Sequence, residues 1–131
     1  MADVTKKRIL VVDDDPAACR FMIDLLEHAG YCVDAESDAH RALGRVRERH
    51  YGLIVSDVVM PTLAGPALLA RLTRMRPGFP ALLISAFPDE TTRAEARALG
   101  VPLLAKPFRA DTLLTLVADL LHGEDARRSA P

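Results

Sequence analysis

No run of eighteen apolar residues occurs in the chain, so no segment reads as a membrane-spanning helix. The N-terminus, MADVTKKR, lacks the apolar stretch of a secretory signal. Charge of one sign is also missing. Lys and Arg number 17 and Asp and Glu 18, for a net charge of −1. That balance gives no global electrostatic reason to bind nucleic acid or an anionic membrane. Cysteine is scarce. Cys19 and Cys32 lie too far apart for a Cys-x-x-Cys motif, and no His/Cys cluster surrounds them. Their apolar neighbours predict buried reduced thiols, and together these absences predict a cytoplasmic location. What is there is 131 residues, half of them hydrophobic, which suits one domain with one core.

The segments alternate with short gaps. Residues 8–13, RILVVD, form an apolar run that ends in acids and reads as a buried strand. Asp15 can cap a following helix and Pro16 suits its first turn. Phe21, Leu25 and Ala29, with Met22 and Leu26 beside them, predict the inner stripe, and Gly30 the stop. The pattern then repeats. Strands are expected at 31–37, 52–57, 80–86 and 101–106. Helices are expected at 38–48, 66–75, 89–99 and 110–121. Five strand–helix repeats predict an α/β sandwich with a parallel sheet covered on both faces. Residues 1–7 are expected to be an N-terminal extension and residues 122–131 a disordered tail.

All strands of a parallel sheet point their C-terminal ends the same way, and ligands bind there. The first strand brings Asp13, Asp14 and Asp15 to that edge, the third Asp57, the fourth Ser85 and the fifth Lys106. The second strand offers nothing comparable. Carboxylates brought close together repel, and a hard divalent cation relieves the repulsion. Oxygen ligands without His or Cys select Mg²⁺ over zinc. Lys106 suits an incoming anion such as a phosphoryl group. The set fits phosphoryl transfer to a carboxylate, with Asp57 attacking, Lys106 and Mg²⁺ neutralising charge and Ser85 orienting. Asp15 reads as a helix cap rather than a ligand. His28, His40, His50 and His122 form no cluster and read as surface residues. Arg41, Arg45, Arg47 and Arg49 read as a solvated helix side.

Four motifs stand in order at predicted strand ends: VVDDDP, SDVVMP followed by Gly65, ISA at 84–86 and AKPF at 105–108. With them the chain resembles the receiver domain of bacterial response regulators over residues 8–121. The resemblance implies a flavodoxin-like (βα)5 three-layer sandwich with strand order 2-1-3-4-5. It implies that Asp57 accepts a phosphoryl group from a phosphohistidine of a histidine kinase or histidine phosphotransfer protein. It makes Asp13 and Asp14 the acidic pair that holds Mg²⁺, and the backbone carbonyl of Val59 a further ligand. Ser85 becomes the switch hydroxyl and Lys106 the family lysine. It also implies a readout surface on the fourth helix, fifth strand and fifth helix, the place for a phosphorylation-dependent homodimer.

Two alternatives stand beside this reading. Asp13 and Asp15 form an Asp-x-Asp after the first strand, as in haloacid-dehalogenase-like phosphatases, but such enzymes are usually longer, and the fourth strand here ends at Ser85. A receiver-like interaction module that works without phosphorylation is the other, and the intact acidic set speaks against it. Three positions depart from the resembled family. Val59 and Phe87 are apolar where polar groups are common, and Leu103 stands where many members carry Tyr or Phe. No DNA-binding or enzymatic output segment is expected.

Overall fold

The computed structural model describes residues 7–129, with side chains placed through His122. Five strands form one parallel sheet: β1 (Arg8–Val12), β2 (Cys32–Glu36), β3 (Leu53–Asp57), β4 (Ala81–Ser85) and β5 (Leu103–Ala105). Their order is β2-β1-β3-β4-β5, as expected. Helices α1 (Pro16–His28), α2 (Ala39–Glu48), α3 (Gly65–Met75), α4 (Glu90–Leu99) and α5 (Ala110–Ser129) fill the crossovers and the C-terminal end.

The strands sort their side chains by alternation. Ile9 and Val11 of β1, Leu53 and Val55 of β3, and Leu82 and Ile84 of β4 pack with α1 and α5. Leu10, Val12, Ile54 and Leu83 pack on the other face with α2, α3 and Ala96 of α4. Both faces are thus covered, which explains why the central strands read as continuous apolar runs.

Local signals set most helix ends. Asp15 Oδ1 accepts the Ala17 N–H at 3.1 Å. Asp38 Oδ1 accepts from His40 and Arg41. Asp89 Oδ1 accepts the Thr92 N–H at 2.9 Å, and Gly100 closes α4 with φ of 72°. That left-handed backbone suits glycine.

Three expectations need correction. The buried stripe of α1 is Cys19, Met22 and Leu26, whereas Phe21 is 52% exposed and Ala29 lies outside. Apolar residues occur at 3–4 spacing in two adjacent phases of this helix, and contact with the sheet selected one. Within the expected tail, the helix predicted to end at 121 continues to Ser129 as α5. Glu124, Ala126, Arg127 and Arg128 are good helix formers, and the one glycine, Gly123, costs only ~1 kcal/mol in a helix. Residues 1–6 of the expected extension, and 130–131, lie outside the described residues. The arginines of α2 are not simply solvated. Arg45 Nε bonds Glu36 Oε1 at 2.9 Å, Arg41 lies 3.9 Å from Glu36, and Arg49 lies 3.9 Å from Asp34.

The thiols are both free, Cys19 buried and Cys32 half-buried. All four histidines are exposed, as read from the sequence.

Candidate functional site

Register brings the strand ends together. Asp57 of β3 pairs with Ile84 of β4, so Ser85 stands one step further along the edge. Ser85 in turn pairs with Ala105 of β5, which puts Lys106 just past the end. The Lys106 N–H donates to the Ser85 carbonyl at 2.8 Å and holds the residue there.

Four of the expected side chains meet. Single carboxylate oxygens of Asp13, Asp14 and Asp57 lie within 4.8 Å of one another. Lys106 Nζ is 2.9 Å from Asp57 Oδ1 and 4.0 Å from Asp13 Oδ2. Asp57 Oδ2 accepts the Val59 N–H at 3.3 Å, so the Val59 peptide borders the site while its side chain stands 74% exposed. Asp13 is buried, and its Oδ1 accepts the Asp15 N–H at 3.0 Å.

Burial is the main force on the Asp13 carboxyl and pushes it above the usual range. The Asp57 and Asp14 charges add to that push, against the pull of the Asp15 N–H and Lys106. Burial acts on Lys106 in the opposite sense, favouring the neutral amine. The hydrogen bond to Asp57 and the charges of Asp57, Asp13 and Asp15 outweigh it, so the ammonium is held more tightly than usual. Three carboxylates against one ammonium leave a surplus of negative charge. An all-oxygen donor set with that surplus fits a hard cation such as Mg²⁺.

Ser85 stands at the same edge with its hydroxyl engaged from one side. Its hydroxyl is buried and accepts the Phe87 N–H at 3.0 Å. Among the described residues no hydrogen bond joins it to Asp57 or to the Lys106 ammonium. Asp15 keeps its role as cap of α1.

Other features were not visible as site elements. The end of β2 is not empty: Glu36 is buried, its carboxylate accepts from Ser37, Asp38 and Arg45, and its carbonyl accepts the Asp13 N–H at 3.1 Å. An acid at a strand end followed by arginines at helical spacing was the available signal. Cys19 Sγ lies 3.2 Å from the Asp13 carbonyl and donates to it, which no sequence pattern announces. Gly65 must be glycine for space, because a Cβ there would collide with the Asp57 carbonyl. A mostly apolar cleft of about 680 Å³ opens beside Asp57 and Lys106, walled by Ala17, Phe21, Met22 and Phe108. The rings of Phe21 and Phe108 lie 6.2 Å apart across its rim.

The family model of the response regulator receiver domain matches residues 9–118. The transcriptional regulatory protein ZraR of Salmonella typhimurium is 36% identical over 125 residues, which span 94% of this chain and 28% of that protein. The response regulator receiver protein CpdR of Brucella abortus is 31% identical, over 88% of this chain and 97% of its own length. Among solved structures, a CheY-like response regulator receiver domain protein from Methanospirillum hungatei superposes with a TM-score of 0.90. It is 25% identical and covers 94% of this chain and 99% of its own.

Proposed function

The chain belongs to the response regulator receiver domain family, the phosphoacceptor modules of two-component signalling, and on that premise we propose that Asp57 is its phosphoacceptor. The observation that carries the proposal is the contact of Lys106 Nζ with Asp57 Oδ1 at 2.9 Å, inside a cluster that includes Asp13 and Asp14. In the reaction an Asp57 carboxylate oxygen attacks the phosphorus of a phosphohistidine. The O–P bond forms, the N–P bond breaks, and the imidazole nitrogen leaves with the electron pair. Lys106 turns from Asp57 toward the phosphoryl oxygens, where its charge offsets the developing negative charge. Ser85 keeps its hydroxyl proton free to donate to the same oxygens, since it accepts rather than donates in its bond to Phe87. Asp13, Asp14, Asp57 and the Val59 carbonyl would hold Mg²⁺, which supplies positive charge to the phosphoryl group.

The partner is a histidine kinase or histidine phosphotransfer protein. The apolar cleft beside Asp57 gives the helix that presents the phosphohistidine an apolar wall to rest on, with Phe21 and Phe108 at its rim. The receiver unit spans residues 8–121, catalyses its own phosphorylation and dephosphorylation, and works in the cytoplasm. No described helix is long and apolar enough to cross a membrane. Phosphorylation alters the surface of α4, β5 and α5, where a second copy can bind.

The test is incubation with Mg²⁺ and a small phosphodonor. A stable acyl phosphate is expected on the wild type and none on Asp57→Asn or in excess chelator. Labelling of Asp57→Asn at the wild-type rate would overturn the assignment. Rapid turnover without a stable adduct would favour a phosphatase, and no labelling at all an interaction module.

A further inference from the structure

Ser56 is a polar residue in a place built for an aliphatic one. It is 0% exposed, and its register partners are Val12 of β1 and Leu83 of β4. Strand alternation turns it, with Ile54, toward the α2–α3–α4 layer, while Asp57 turns to the opposite face. A buried hydroxyl is costly unless it is hydrogen-bonded. This one donates to the carbonyl of the next residue, Asp57, at 2.9 Å. A second element presses on the same atom. The Gly65 N–H donates to the Val58 carbonyl at 2.8 Å, which draws the start of α3 so close that even a methyl group at Gly65 would strike the Asp57 carbonyl.

The Asp57 peptide is therefore held from two sides. Its plane sets the direction in which the chain leaves β3, and so the position of the Val59 N–H that meets Asp57 Oδ2. We propose that Ser56 is a positioning residue for phosphoryl transfer: its hydroxyl locks the Asp57 peptide so that the carboxylate stays aligned between Lys106 and the Val59 backbone. Ser56 touches neither phosphoryl group nor metal. A chain whose only need at this site was a filled core would be served better by Val or Ala. The inference rests on Asp57 being the phosphoacceptor.

Ser56→Ala removes the donor with little change in volume, and Ser56→Thr restores it. At saturating Mg²⁺ and phosphodonor, Ser56→Ala is expected to label about ten-fold more slowly, since small misplacements of reacting groups have effects of this size and larger. Its Tm should stay within about 4 °C of wild type. Ser56→Thr should recover the rate. The NMR carbonyl shift of Asp57 in the unphosphorylated protein should move in the Ala variant and return in the Thr variant. A packing role would instead lower Tm and labelling together. Wild-type labelling in Ser56→Ala, or an unmoved Asp57 carbonyl shift, overturns the inference. If the wild type labels elsewhere than Asp57, the phosphoacceptor reading fails, and the carbonyl shift alone decides whether Ser56 holds that peptide. If Ser56→Ala does not fold, the wild-type Ser56 hydroxyl proton decides: slow exchange supports the bond, and rapid exchange with water overturns it.

Discussion

Strand β3 ends, and helix α4 begins, at the edge that carries the candidate site, yet they are built in opposite ways. Leu53, Ile54, Val55 and Ser56 are all buried, β3 pairs with a strand on each side, and Gly65 presses on its last carbonyl. Helix α4 buries only Thr92 and Ala96 of its ten residues. Beside it, β5 has three residues and none is fully buried. The difference separates two jobs. A nucleophile must stay aligned to within fractions of an ångström, which a doubly covered strand provides. A readout element must move for a small change in free energy, and an element with few buried contacts opens locally with little cost.

The largest expected effect is on stability. Ile54→Ala should cost about 2–5 kcal/mol, the usual range for removing a buried aliphatic side chain. Ala96→Gly in α4 should cost only about 1 kcal/mol beyond its small loss of packing. Urea denaturation of both variants measures this directly, and equal losses would erase the contrast between the two elements.

Next comes the lifetime of the phosphorylated form. Val59 and Phe87 flank Asp57 and Ser85 in sequence, and their side chains are 74% and 82% exposed. They stand in solvent rather than over the site, so whatever shielding they provide comes from offering no polar group to an attacking water. Polar substitution at both positions should shorten the half-life about ten-fold, a barrier change of ~1.4 kcal/mol. An unchanged half-life would assign lifetime control to the firm β3 side alone.

A smaller effect separates the two elements by motion. Hydrogen exchange with and without a phosphoryl mimic should change across residues 86–100 and leave β3 unchanged. Leu103 is half-buried against the core beside Leu99 and Val101, so the shift belongs to the helix and its preceding loop rather than to a rotamer change at that leucine. Protection changes concentrated outside 86–100 would break the comparison.

The smallest expected effect is a pH response of the caps. N–H donors hold the Asp38 and Asp89 carboxyls below their ordinary value, chiefly Arg41 for Asp38 and Thr92 for Asp89. A carboxyl whose folded value is lowered binds protons more weakly folded than unfolded. Its contribution is therefore complete above the unfolded value of ~3.9 and declines as pH falls through the lower folded value. Acidification through that window should fray α4 before α2, because α2 also buries Ala39, Ala42, Leu43 and Val46. Amide shifts of Thr92 and Arg41, followed in one titration, give the order, and simultaneous fraying would show that burial does not rank the two helices.

The order of strands and helices, the cap at Asp15 and the acids and lysine at the strand ends were all legible in the sequence. These features depend on residues within a turn of one another, or on the rule that parallel strands end on one edge. Only the tertiary structure decided which phase of α1 faces the sheet, leaving Phe21 at a cleft and burying Met22. It alone paired Glu36 with Arg45, turned the Ser85 hydroxyl toward the Phe87 N–H, and placed Ser56 and Gly65 on the Asp57 carbonyl. The Asp57–Lys106 contact has the same origin, since the register of β3 on β4 and of β4 on β5 sets that distance. Local pattern cannot carry such information: two helical phases can look equally apolar in a sequence, and the sheet they pack against is assembled from segments far apart along the chain.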